Sequence, residues 1–128
     1  RFFERAIANQ PIPAGMPAAA DSDLHEPITI DRFLIQQPAK TVLIRVKGDS
    51  MIEAGIHNGD LAVVERTSDA SPGDIVVAIV DDEFTLKTLA RDREGYHLQP
   101  ANTNYPVIRP KGKLEIFGVM VGLVRKYS

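Results

Sequence analysis

The stretch Ile75-Val76-Val77-Ala78-Ile79-Val80-Asp81-Asp82-Glu83-Phe84-Thr85-Leu86-Lys87-Thr88-Leu89 decides the fold. Its first six residues are all apolar, as in a central strand buried on both faces. Asp81-Asp82-Glu83 then turns the chain, and its carboxylates are expected to face water. Beyond the turn the pattern has period two. Phe84, Leu86 and Thr88 point one way, while Thr85, Lys87 and Leu89 point the other.

The same reading extends in both directions. Upstream, Thr41 to Lys47 forms a strand that stops at Gly48. His57-Asn58-Gly59-Asp60 is a turn signal, Leu61 to Glu65 a strand, and Ser71-Pro72-Gly73-Asp74 a second turn. Downstream, Tyr96 to Pro100 is a short strand and Leu114 to Val124 a long one, with Gly118 and Gly122 suited to bends or bulges. Several short strands separated by turns predict a mostly β, compact, barrel-like or sandwich domain over residues 41–128.

Residues 1–40 differ in composition. They hold five of the nine prolines and the small-residue run Pro17-Ala18-Ala19-Ala20. Proline fixes φ and lacks a ladder donor, so an extended, irregular N-terminal arm is expected. One short helix is predicted from Asp31, as N-cap, to Gln37, stopped by Pro38.

Composition excludes several classes. At 44% hydrophobic and 25% charged, the chain holds enough apolar material for one core. Its net charge of −2 supplies no basic excess, so direct DNA contact by this segment is not expected. There is no cysteine, hence no disulfide and no thiolate metal site. The longest aliphatic run, Ile75 to Val80, falls far short of the roughly 20 residues of a membrane span. No leader pattern follows Arg1-Phe2-Phe3-Glu4-Arg5, so a soluble cytoplasmic protein without membrane contact is expected. The first residue is Arg rather than Met, which leaves room for residues upstream.

Two side chains stand out chemically. A strand lysine is ordinarily solvated. If Lys87 is desolvated instead, its pKa falls and the neutral amine becomes a competent base. Thr85, on the same face, is placed to hydrogen-bond that amine. Ser50 follows a strand and Gly48, whose freedom at positive φ permits a tight turn. Such a turn exposes a hydroxyl and aligns N–H groups for an oxyanion. The plainer reading of Ser50 is a loop residue capping the next turn. A Ser-His-Asp triad would need His57 or His97 near Ser50. His57 lies in a turn and His97 in a polar strand, so both are expected at the surface. No metalloprotease, Walker or dinucleotide motif is present, and no metal or cofactor is expected.

As an ordered set, these segments resemble a known family. Gly48-Asp49-Ser50-Met51, Gly59-Asp60-Leu61, Gly73-Asp74-Ile75-Val76-Val77-Ala78 and Phe84-Thr85-Leu86-Lys87-Thr88-Leu89 are similar to the protease domain shared by LexA-type repressors and UmuD. Ile116-Phe117-Gly118-Val119 adds to the likeness, and Lys87 follows Ser50 by the family's 37 positions. The resemblance implies a Ser50–Lys87 dyad, with Asp49, Met51 and Thr85 in supporting or oxyanion roles. It also implies a scissile bond within the chain itself, Ala14-Gly15 in Pro11-Ile12-Pro13-Ala14-Gly15-Met16-Pro17. The chemistry is compatible, because Gly15 does not obstruct attack on the Ala14 carbonyl and the flanking prolines hold an extended strand. Without the dyad, a flexible tether would be the simpler account.

The family contains two functions. LexA-type proteins carry an upstream helix-turn-helix domain and repress SOS genes. UmuD-type proteins are trimmed to homodimers that serve a translesion DNA polymerase catalytic subunit. In both, a RecA filament on single-stranded DNA promotes cleavage. Fourteen residues precede Gly15, and Ser50 follows it by 35, the UmuD separation. Phe33-Leu34-Ile35-Gln36-Gln37-Pro38 and Asp82-Glu83-Phe84-Thr85-Leu86-Lys87 are also closer to UmuD, whereas an Ala-Gly bond departs from its best-known Cys-Gly. The expectation is therefore a UmuD-like accessory subunit, with the self-cleavage and dimerisation domain of a LexA-type repressor as the alternative. A pure interaction module dimerising through the C-terminal strand, and a leader peptidase, are further readings. The lack of an anchor weighs against the last.

Overall fold

The structure is a computed structural model that describes residues 3–16, 19–20 and 24–128. Contacts divide it into two compact units, residues 1–36 and 37–128. The second unit is an open six-stranded antiparallel sheet. Its strands are β3 (Thr41–Arg45), β4 (Leu61–Arg66), β5 (Ile75–Val80), β6 (Glu83–Asp92), β7 (Gly95–Gln99) and β8 (Glu115–Val124). Their spatial order is β3-β4-β8-β5-β6-β7. The chain is mostly β, as its alternation predicts. Among the described residues, no helix is long and apolar enough to cross a membrane.

β5 lies inside the sheet between β8 and β6 because it is apolar on both faces. Val76 and Ala78 pack with Leu89 and Leu98 in one buried cluster. Val77, on the opposite face, packs with Ala62 and Val64 of β4 in a second. Burying one such valine stabilises the fold by roughly 1.5–3 kcal/mol. The turn into β6 is a two-residue loop with Val80 paired to Glu83. Asp81 and Asp82 both take positive φ, 50° and 65°, the geometry that matches strand twist. Both are exposed, as is Glu83.

β8 pairs with β4 on one side and β5 on the other. Each ladder slips by one residue, opposite Val63/Val64 and opposite Val77/Ala78. These bulges fall beside Gly122 and Gly118, as the glycines in this strand suggested.

The first unit departs from the sequence reading. The irregular run expected here contains a pair of antiparallel strands, β1 (Arg5–Ala8) and β2 (Leu24–Ile28). Pro11 and Pro13 lie off this ladder, and Pro27 is within it, opposite Ala6. Gln10 Nε2 donates to the Ala19 carbonyl across the connecting loop. Arg1, Phe2, and Pro17 and Ala18 of the small-residue run lie outside the described residues. The helix α1 spans Ile30–Leu34, not Asp31 to Gln37. Thr29, in extended conformation, is the N-cap, its hydroxyl accepting from Arg32 N at 3.4 Å. Asp31 instead sits in the first turn and accepts from the same N–H at 2.9 Å. The helix ends early because Pro38 disfavours helical backbone at Gln37 and opens its own 3-10 turn, Pro38–Lys40.

Candidate active site

β3 delivers the chain into the loop that carries Ser50. Gly48 adopts φ 90°, which a side chain would strain, and the chain reverses there. The base of the loop is closed by Val46, which donates to Asp60 O and accepts from Gly59 N, both at 2.8 Å. Asn58 Oδ1 accepts from Gly48 N at 2.8 Å. Asp60 is buried, and its carboxylate accepts from Arg125 Nε and Nη2 and from His57 N, each at 2.7 Å. The Arg125 guanidinium therefore holds the Asp60 carboxyl well below the usual carboxylate range.

The far side of the loop is tied to residues 101–105. Ala101 N donates to Ser50 O at 2.9 Å, and Asn102 Nδ2 to Asp49 O at 2.9 Å. Tyr105 Oη donates to Asp49 Oδ1 at 2.5 Å, a bond that raises the Tyr105 pKa by opposing loss of the phenolic proton. Among the described residues, the N–H groups of Ser50 and Met51 donate to no protein acceptor. Met51 is itself buried, its side chain anchoring the loop in the core.

Lys87 lies on β6, opposite Val76 of β5. It is only 7% exposed, so the solvated alternative for this strand lysine does not hold. Its Nζ donates to Thr85 Oγ1 at 2.6 Å, the contact the strand alternation anticipates. Burial pushes the Lys87 amine below its ordinary pKa. Removal from water disfavours the charged form, and among the described residues no carboxylate offsets it.

Ser50 and Lys87 line the same cleft, of about 220 Å³. Its walls are mainly apolar, including Ile44, Val46, Met51, Val77 and Phe84. Among the described residues, no hydrogen bond joins Ser50 Oγ to Lys87 Nζ; the amine is directed to Thr85. Ala14 and Gly15 are exposed in the loop between β1 and β2, flanked by the exposed Ile12 and Met16.

Neither candidate histidine lines this cleft. His57 is exposed, as expected. His97 is not: it is 7% exposed on β7, with Nδ1 3.8 Å from Asp92 Oδ2 and without a hydrogen bond among the described residues. The polar sequence around it gave no sign of this burial; in the ladder His97 lies opposite Ala90 of β6. Sequence reasoning also missed Asn102, Tyr105 and Arg125. Each acts on the Ser50 loop from at least 50 positions away, and no local pattern announces such a contact.

Comparison with known proteins agrees with this architecture. The pattern of the Peptidase S24-like family matches residues 7–121. The chain is 47% identical to the LexA repressor of Opitutus terrae over 116 residues, covering 88% of this chain and 58% of that repressor. It is 46% identical to LexA repressor 1 of Geobacter sulfurreducens, covering 88% and 56%. Against Protein SamA of Salmonella typhimurium the identity is 40%, covering 89% of this chain and 80% of that protein. The chain thus spans little more than half the length of the LexA repressors it matches.

Proposed function

The chain belongs to the Peptidase S24-like family, and from that premise we propose that it cleaves itself, with Ser50 as nucleophile and Lys87 as general base. The observation that carries this reading is a lysine amine withdrawn from water in an apolar cleft that also holds a serine. A free lysine, with pKa near ~10.4, needs about 4.6 kcal/mol to lose its proton at pH 7. Burial removes part of that cost before reaction begins.

The steps follow from the groups present. Lys87 Nζ takes the Ser50 proton as Oγ bonds to the Ala14 carbonyl carbon. The N–H groups of Ser50 and Met51, which meet no acceptor among the described residues, stabilise the oxyanion. The Ala14–Gly15 C–N bond breaks and Lys87 returns the proton to the Gly15 amine. Water, deprotonated by the same lysine, then hydrolyses the acyl-serine. The Thr85 hydroxyl holds the amine in place between steps. Bringing Ala14 to Ser50, within one chain or between two, is the conformational choice that gates the reaction, and a RecA–single-stranded-DNA filament favours the competent state.

For the protein as a whole, the relatives favour a LexA-type repressor over the polymerase accessory that the sequence favoured. Repressors recur among the matches at 46–47% identity. In this reading the chain is the cytoplasmic self-cleavage and homodimerisation domain, and cleavage relieves repression. The accessory-subunit reading retains one specific support, the 80% coverage of SamA. A duplex retarded by the uncut natural protein and released on cleavage supports the repressor; co-purification of the trimmed dimer with a translesion polymerase supports the accessory.

The peptidase reading itself is tested by incubating the chain at rising pH and weighing the fragments. A break between Ala14 and Gly15 that accelerates with pH is expected. Ser50→Ala and Lys87→Ala should each cut at least about 10³-fold more slowly. Parental rates in either variant would remove the dyad.

A further inference from the structure

We propose that Asn102 is a positioning residue for this reaction, setting the direction of the Ser50 N–H, one of the two backbone donors that receive the oxyanion, while the adjoining Ala101 main chain sets the other. The inference rests on the Ser50–Lys87 reading. Every peptide bond described is trans, so the C=O and N–H of one peptide point in opposite directions. The Asp49 carbonyl shares its peptide with Ser50 N–H, and the Ser50 carbonyl shares its peptide with Met51 N–H. Whatever holds these two carbonyls therefore aims the two N–H groups the other way.

Both carbonyls are held by the 101–102 segment. Asn102 Nδ2 donates to Asp49 O at 2.9 Å, and Ala101 N donates to Ser50 O at 2.9 Å. Asp49 O also accepts from Ile52 N at 3.1 Å, so Asn102 fills its second lone pair. Asn102 is itself fixed. It is only 8% exposed, and its Oδ1 accepts from Asn104 N at 2.9 Å. Glu53 N donates to Ala101 O at 2.8 Å and Glu53 Oε2 accepts from Thr103 N at 3.1 Å, locking the two segments together. A buried amide with both ends used is a rigid strut, suited to preorganising donors. Asn102 does not line the cleft, so it touches neither substrate nor Lys87.

Asn102→Asp in the full chain provides the test. The aspartate keeps the acceptor for Asn104 N but loses the donor to Asp49 O. Two rates are read against pH: self-cleavage, and labelling of Ser50 by a fluorophosphate ester. In the labelling, the Oγ–P bond forms, fluoride leaves, and the serine proton passes to Lys87. Both plateau rates should fall about 10- to 100-fold, a fraction of the 10²–10³ seen when an oxyanion donor is removed outright. The pH midpoint, set by Lys87, should not move, and the chain should remain folded by thermal melting. Unchanged plateaus, a shifted midpoint, or a loss matching only the unfolded fraction would each overturn the proposal. Should Asn102→Asp fail to fold, Asn102→Ser is read the same way; loss of folding in both assigns Asn102 to the fold alone and equally overturns it. Ser50→Ala separates the two ideas. If it cuts at the parental rate, the dyad itself fails; if it is inert while Asn102→Asp cuts normally, only this inference fails.

Discussion

Lys87 shows what a single residue costs and supplies. Its amine is buried, and among the described residues it has no carboxylate partner, so its protonated form is penalised in the fold. The linkage has a definite sign. The folded pKa lies below the unfolded value near ~10.4, so the penalty is fully present below the folded pKa and is relieved as pH rises through it. Lys87→Met, of similar length and without charge, should therefore raise the melting temperature at neutral pH while abolishing cleavage. The gain should shrink toward alkaline pH; a variant that melts lower at every pH would contradict it. The residue types and their alternation singled out Lys87 and Thr85 in the sequence. Burial itself was not readable, because the side of the strand that faces the cleft is fixed by β5 and by the distant Ser50 loop.

At the scale of elements, strands were legible and their partners were not. The apolar run Ile75–Val80 and its turn stand where the pattern puts them. β6, however, runs to Asp92, beyond Leu89, because pairing with β7 continues the ladder past the apolar residues. Helix α1 was misplaced because Asp31 and Thr29 are both competent caps, and the backbone settled on Thr29. The clamp of Asn102 and Tyr105 on the Ser50 loop was invisible, since polar residues after Pro100 read simply as loop. Gly118 had a visible signal with a hidden cause. A Cβ placed there would lie 2.5 Å from Glu65 O and 2.7 Å from Val64 Cγ1. β8 approaches β4 this closely beside its bulge. Gly118→Ala should therefore destabilise the chain by about 1–3 kcal/mol in urea or thermal unfolding, as overpacking against backbone does. Full stability in that variant would mean that the two strands separate without cost.

For the whole molecule, the proposed reaction would join the two units: on that reading residues 1–36 carry the bond to be cut and residues 37–128 the groups that cut it. If Lys87 is the base, cleavage should be slow while its amine is charged and fast once it is neutral, so that one titration governs the rate. The measurement is the midpoint of Lys87, followed by the ¹³Cε resonance of labelled lysine, set beside the pH dependence of cleavage at Ala14–Gly15 in the same sample. The account predicts a Lys87 midpoint well below ~10.4 that coincides with the half-maximal cleavage rate. A Lys87 that titrates with the ordinary surface lysines, while cleavage turns on at a different pH, would contradict it.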